Sequence, residues 1–518
     1  MKRMSAFKQT TKKLLYLLCF VLIATHAHAD NVLDKPAACL SKSEFDDLQN
    51  PLMRYQGGDY QRAIQLFENT VKRLSRQTIS KKEKAIAWIY IADSYRHLNK
   101  FGASNDFLNQ ALLIATDIQH PDLIASVKYR LAENARQENQ LAEAKAFMLE
   151  ALNTSQQNDL QSLVPTLNFT LAEILIASEN YPEAKNYLQQ SIQTAEKRQQ
   201  TEILLKSLNQ YLRHYFEPEQ AATLKTYVKL FSETSKVLKE EEYKLNSLIL
   251  AAQYYTKLYR LIEPTVSNKQ NAYELLLEAQ ALATKRQDEG AQGKIYELMA
   301  LLYEEEKSYQ EAMIYAQKAA FIAQLEQQPQ ALYQREWLVA RILWNLKQHQ
   351  QALQAYRNAI DTLEEIRFDV TMQAADSYKK NVAALYKEFA DHLLTVTANT
   401  KDTALINQNL AELRDRLEQA KIAEMEDYFQ NDCALVVEHP GELERTSPHT
   451  AIVYPLILKD RVELLVSINS ELYNFRKKVN EAELVEVVND LRYLIEDGQK
   501  QLNYQLQAKQ LYQWLITP

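Results

Sequence analysis

Glycine is nearly missing from this chain, with 7 in 518 residues, where ordinary usage of about 7% would give roughly 36. Glycine supplies left-handed turns and close backbone approaches, so few such turns and no phosphate-cradling loop are expected. A helical protein follows. Neither H-E-x-x-H nor G-x-S-x-G occurs. Cysteine is as sparse, at 3, and without a C-x2-C or H-x3-H cluster no metal site is expected, because structural zinc normally needs four ligands. No cofactor and no catalytic residue is assigned. Basic charge is also short, 60 Lys and Arg against 67 Asp and Glu for a formal net charge of −7, which excludes nucleic acid as an expected partner. Beyond residue 29 no apolar run is long enough to span a bilayer, which takes about 20 residues.

What is present begins with Lys2, Arg3, Lys8, Lys12 and Lys13, the apolar run Leu14 to Ala24, and Ala27-His28-Ala29 ahead of Asp30. Basic start, short apolar core and small residues at the cleavage subsites are the pattern of a secretory signal over residues 1–29. The expected location is therefore exported, periplasmic or secreted. Taking those five charges away moves the formal net charge from −7 to −12. Cys19 leaves with the signal. Cys39 and Cys433 remain, either as a bridge in an oxidising compartment or as two thiols.

After a leader over 30–57, one pattern keeps returning. Tyr60, Ala63, Phe67 and Thr70 stand at offsets of three, seven and ten, one face of a helix. The same offsets recur at Phe101, Ser104, Leu108 and Ala111, then from Leu141 through Ala144 and Met148, and from Tyr181 through Ala184 and Leu188. They resume from Lys269 through Ala272, from Tyr309 through Ala312, and from His349 through Ala352 and Tyr356. The interval is 40 (181−141, 309−269, 349−309), or 41 for 101−60. Upstream of each set stands a second apolar pattern with a large-small step, such as Trp88, Ile91, Ala92 and Tyr95, or Leu131 and Ala132. Each unit is a helix, a turn and a second helix, and such units bury their stripes only by stacking.

These residues resemble the tetratricopeptide repeat, W-x2-L-G-x2-Y followed by A-x3-F and A, with Ala92 in the glycine slot. The departure is the period, near 40 rather than 34. The fold expected is all-α, a right-handed superhelical solenoid over 58–366, with Tyr60, Ala63, Phe67, Trp88, Tyr95, Ala144, Tyr181, Ala184, Tyr309, Ala312, Ala352 and Tyr356 as repeat-packing residues. The stretch 198–267 matches poorly and is expected to be a degenerate unit where the groove bends.

Two amphipathic helical stretches follow over 367–430 and a loop over 431–449. Thr450 to Leu458 and Arg461 to Asn469 alternate as a hairpin, with Leu472 to Lys477 as a third short strand. Pro455 lacks a ladder donor, so the first strand belongs at an edge. Helices are expected from Glu481 to Asp497 and from Leu502 to Ile516. The stretch Ala420 to Phe429, this hairpin, and Leu511 to Pro518 resemble the opening of a CHAT domain, a caspase-like domain, so that 450–518 would be a partial α+β segment of it. The resemblance implies a catalytic histidine and cysteine beyond Pro518, and a further chain completing the segment as a partner. Cys433, His439 and His449 are most simply unrelated side chains of a solvated loop. The array is then expected to be the active part, binding a protein or peptide along its concave face.

Overall fold

The computed structural model describes residues 33, 35–40, 42–74, 81–372, 382–429, 451–468, 471–496 and 504–517. The signal-like stretch, the 431–449 loop, Cys433, His439 and His449 lie outside them. The chain forms two compact units, one running to Glu240 with Leu261–Glu263, the other holding Glu241–Arg260 and Pro264 onward.

Among the described residues of the N-terminal unit ten α-helices follow one another: α1 (Lys42–Gln56), α2 (Tyr60–Leu74), α3 (Lys81–His97), α4 (Phe101–Asp117), α5 (Pro121–Gln137), α6 (Leu141–Gln157), α7 (Val164–Ala177), α8 (Tyr181–Lys197), α9 (Thr201–His214) and α10 (Ala221–Lys236). Helix α1 falls inside the stretch read as a leader, so the helices begin earlier than the repeat marks do. The C-terminal unit holds α11 (Glu241–Lys257), α12 (Val266–Arg286), α13 (Glu289–Glu305), α14 (Tyr309–Leu325), α15 (Pro329–Asn345), α16 (His349–Met372), α17 (Ala383–Ala398) and α18 (Thr403–Phe429), with a π turn at Leu258–Ile262 after α11. The fold is an all-α, tetratricopeptide-like array of helix pairs that ends in a small α+β segment.

The 40-residue period has a simple origin. Helices α3 to α6 are each 17 residues long and start 20 residues apart, at 81, 101, 121 and 141. Each is thus about 25 Å long, and the extra length over a 34-residue repeat lies in the helices. Pro121, Pro165, Pro182 and Pro329 sit in the first positions of α5, α7, α8 and α15, where the missing N–H costs nothing.

The turns overturn the inference from scarce glycine. Asn99, Gln119, Asn139, Asp159, Glu179, Gln199, Gln287, Lys307, Gln327 and Lys347 all have φ between 50° and 65°, again 20 residues apart within each run. At each of these turns the N–H of the residue after the left-handed one bonds back five positions, as Lys100 does to Tyr95 (2.9 Å) and Asn180 to Leu175 (2.8 Å). The left-handed turns are there in number and, Gly58 apart, are built without glycine, at a steric cost of about 1–2 kcal/mol each. Glu179→Gly should therefore raise stability by about 0.5–1 kcal/mol, the relief of that strain less the unfolded-state entropy of glycine. Urea unfolding of the two proteins decides it, and a loss of stability counts against the turn strain.

The poorly matching stretch turns out to keep its interval. Helix α10 starts at 221 and α8 at 181, a step of 40, and Leu224, Val228 and Phe231 fill the packing slots at 0–1% exposure. Leucine in the alanine slot hides the unit, and Pro218 interrupts the connection ahead of it.

Beyond the array, β1 (Ala451–Ile457), β2 (Val462–Ile468) and β3 (Glu471–Lys477) form an antiparallel sheet of order β1-β2-β3. Pro455 lies on edge strand β1, opposite Leu464. One face, with Tyr454, Leu456, Leu465 and Leu472, packs on the core of α16 to α18. The other face places Val462 and Leu464 against α19 (Glu481–Glu496) and α20 (Gln505–Leu515). Buried Glu463 on β2 accepts from Arg461 (2.7 Å) and Arg476 (2.6 Å), and Arg461 also reaches Asp391 on α17.

Candidate functional site

Packing consumes most of the repeat marks. Ala63, Phe67, Ala144, Ala184, Ala312, Ala352 and Tyr356 are all at 0% exposure, the small residues letting paired helices approach. Tyr60, Trp88, Tyr95 and Tyr309 are half-buried, and Tyr181 is 41% exposed. Tyr60 stacks on His97 (4.4 Å), and Tyr95 stacks on Phe107 (5.7 Å). A binding surface has to come from the positions between.

One such position recurs. The residue after the small mark on the first helix of each pair is Asp93 on α3, Glu133 on α5 and Glu173 on α7, in Ala92-Asp93, Ala132-Glu133 and Ala172-Glu173, each 40 residues from the last. Because side chains lean toward the helix N-terminus, the natural partner on the next first helix lies 37 residues on, one turn short of a full repeat. Arg130 Nε donates to Asp93 at 2.8 Å and Gln210 Nε2 to Glu173 at 3.3 Å. In the C-terminal unit Arg341 donates two bonds to Glu304, at 2.9 and 3.0 Å, across the same interval. At the second rung the residue 37 on is Thr170, which bonds its own helix at Thr166. Glu133 is held instead by Arg136, at 3.1 and 3.0 Å.

Electrostatics separate the rungs. For Arg130, burial alone would lower the guanidinium, but the charge and hydrogen bond of Asp93 outweigh it and hold it above its ordinary range. Burial lifts the Glu173 carboxyl above the usual carboxylate range, with Arg136 pulling it down and Glu133 pushing it up. Sequence reading missed this row, although an acidic residue after each small mark was visible at the repeat interval.

The C-terminal unit concentrates aromatic and imidazole groups instead. Glu388 on α17 accepts from Trp337 Nε1 (2.6 Å) and Tyr356 Oη (3.0 Å). Trp344 lies between His349 (4.2 Å) and His392 (3.7 Å, stacked), so two histidines distant in sequence share one indole. Burial lowers the His392 imidazole to about 4, Asp391 opposing and His349 adding to the shift. The unfolded chain takes up this proton near 6.5, the folded chain only near 4, so the unfolded state binds more protons in between. Stability should fall by about 2–3 kcal/mol as pH drops from about 6.5 to about 4, discounted for the part of the ring open to solvent. His392→Phe should unfold with a shallower pH dependence over that window; parallel profiles for the two proteins would rule the contribution out.

Two acidic runs, at residues 240–242 and 304–306, carry ion pairs. Glu241 pairs with Lys285, and Glu242 with Arg286 at 3.0 Å. Glu304, Glu305 and Glu306 bind Arg341, Arg260 and Lys269 in turn. Cys39 closes a 3-10 turn at Pro36–Cys39, and its pairing with Cys433 falls outside the described residues. Among the described residues no three His, Cys, Asp or Glu side chains stand together to hold a metal. No described helix is long and apolar enough to cross a membrane.

No protein-family model and no curated protein matches the chain. Among solved structures it is similar to the apo form of RapI, at 14% identity over 54% of this chain and 98% of that one, TM-score 0.36. It is also similar to the apo form of the quorum sensor NprR from B. thuringiensis, at 15% identity over 68% and 95%, TM-score 0.40. A signal-transduction ATPase with a tetratricopeptide repeat sensor, from Pyrococcus horikoshii, matches at 14% identity over 71% and 55%, TM-score 0.41. The repeat architecture of this chain rests on its own helix pairs and their 20-residue turn spacing.

Proposed function

We propose that the chain is an exported, non-catalytic scaffold that holds a peptide or protein partner along the face of the first helices of its repeats. What supports the reading is the row Asp93, Glu133 and Glu173. These polar side chains recur at the repeat interval on the first helices; Asp93 and Glu133 are buried in ion pairs, and Glu173 is the half-buried member left to meet a ligand on that face. A photo-reactive phenylalanine analogue at Arg213, which is 40 residues beyond Glu173 and exposed, should form adducts with a partner in cells. The same analogue at Leu113, exposed on the second helix α4, should not. Adducts from neither position, or equally from both, would count against the reading. Export is checked by the mass of the chain recovered from the periplasm, which should begin at Asp30.

The C-terminal sheet favours a second reading, the recruiting part of a CHAT-type cysteine peptidase whose catalytic strands come from further chain. Both outer strands, β1 and β3, have one unpaired edge among the described residues, and Val453, Tyr473 and Phe475 are 43–46% exposed. Such an edge and face suit added strands. The coding sequence downstream of Pro518 tests it: continuing strand patterns with a histidine and a cysteine support it, and an unrelated sequence sinks it.

A further inference from the structure

The three rungs of the N-terminal unit are not equivalent. Asp93 has Arg130 at 2.8 Å and Arg96 at 3.3 Å, and Glu133 has Arg136. Where Arg96 and Arg136 stand in their repeats, the third repeat has Ile176, and where Arg130 stands relative to Asp93, Gln210 stands relative to Glu173. Among the described residues, therefore, Glu173 receives one long amide hydrogen bond and no ion pair. The Gln210 carbonyl oxygen beside it is shielded from water and accepts no hydrogen bond. The cations nearby are engaged elsewhere, Arg136 with Glu133 and Lys206 with Glu202 at 2.7 Å.

A half-buried carboxylate and an unmet carbonyl in one place are costly to leave unmatched. The group that matches the carboxylate is cationic and donor-only, with several N–H bonds to give, which among protein side chains means lysine or arginine. We propose that the Glu173–Gln210 rung is where a bound peptide inserts a lysine or arginine side chain. The proposal rests on the scaffold reading above and adds the charge of the partner at one rung. The acidic balance of the whole chain, −7 as written, draws basic partners to it.

The test is selection of phage-displayed random linear peptides on the purified chain, followed by affinity measurement of the selected peptides. Peptides aligned from the wild-type selection should carry lysine or arginine at one fixed position, and Glu173→Gln should bind them at least about tenfold more weakly, the effect of removing one partner of a desolvated charge pair. Gln210→Arg reproduces the Asp93–Arg130 arrangement inside the rung. It should retain the far-ultraviolet circular dichroism of the wild type and select peptides without the basic position. Unchanged affinity in Glu173→Gln overturns the proposal, as does a basic position that survives in Gln210→Arg. Peptides that bind the wild type without an enriched basic position overturn the rung and leave the scaffold reading standing. If no peptide is selected, both fall.

Discussion

Asp93→Ala should destabilise the N-terminal unit by about 3–5 kcal/mol, the cost of leaving one member of a buried ion pair alone. Asp93 and Arg130 have side chains only 3% and 4% exposed, so water cannot replace the lost partner. Arg130 would keep only Ser126, to whose carbonyl (3.2 Å) and hydroxyl (2.7 Å) it also donates. Those neutral acceptors do not match the charge. Tyr55, whose hydroxyl burial and Asp93 hold well above its usual range, lies in the same pocket, edge-on to Tyr90 at 5.1 Å. Asp93→Asn should cost less, because an acceptor remains. Asp93→Leu combined with Arg130→Met should recover most of the loss, since the penalty belongs to the orphaned charge and not to the contact. Urea unfolding of the three variants separates these outcomes. A double variant as unstable as Asp93→Ala would show that packing, not charge, holds the site.

The repeat was legible because its marks obey a local rule. Ala63, Ala144, Ala184, Ala312 and Ala352 are small where two helices nearly touch, and no larger residue fits that separation in those pairs. Where the rule is relaxed the pattern fades: Leu224 occupies the same slot in α10, fully buried. The hairpin was legible from alternation, and Pro455 placed its strand at an edge. Turn conformation was not. A left-handed φ at Gln119 or Lys347 is imposed by two helices that must reverse within three residues, and a long polar side chain bears the strain as glycine would not need to. The polar row was hidden for another reason. Each acid reads, by itself, as part of a solvated face, and its partner lies 37 residues away on another helix, at a spacing that follows only once helix length and turn length are both known.

In the C-terminal unit Gly293→Ala should destabilise, against the expectation from helix propensity. Alanine is favoured over glycine in a helix interior by about 1 kcal/mol. Here, however, a Cβ on residue 293 would come 2.8 Å from Arg335 Nη1 and 3.0 Å from Ile322 Cγ2. A guanidinium tip is ordinarily free to move aside, but this one is not. Arg335 is 2% exposed; its Nε donates to Glu297 on α13 at 3.0 Å, and Nη1 donates to the Ala319 carbonyl of α14 at 3.0 Å. Moving it breaks bonds to both α13 and α14, so overpacking should cost about 1–3 kcal/mol net, and Gly293→Val more. Arg335→Ala should cost about 3–5 kcal/mol, through the cavity and the stranded groups it leaves. The double variant is the sharper measurement. With the guanidinium gone the added methyl has room, so Gly293→Ala should become neutral or stabilising in the Arg335→Ala background, a coupling of about 2 kcal/mol that equilibrium unfolding resolves. Gly293→Ala stabilising the wild type would mean that Arg335 shifts freely, and the buried pair would then not be what ties α13, α14 and α15 together.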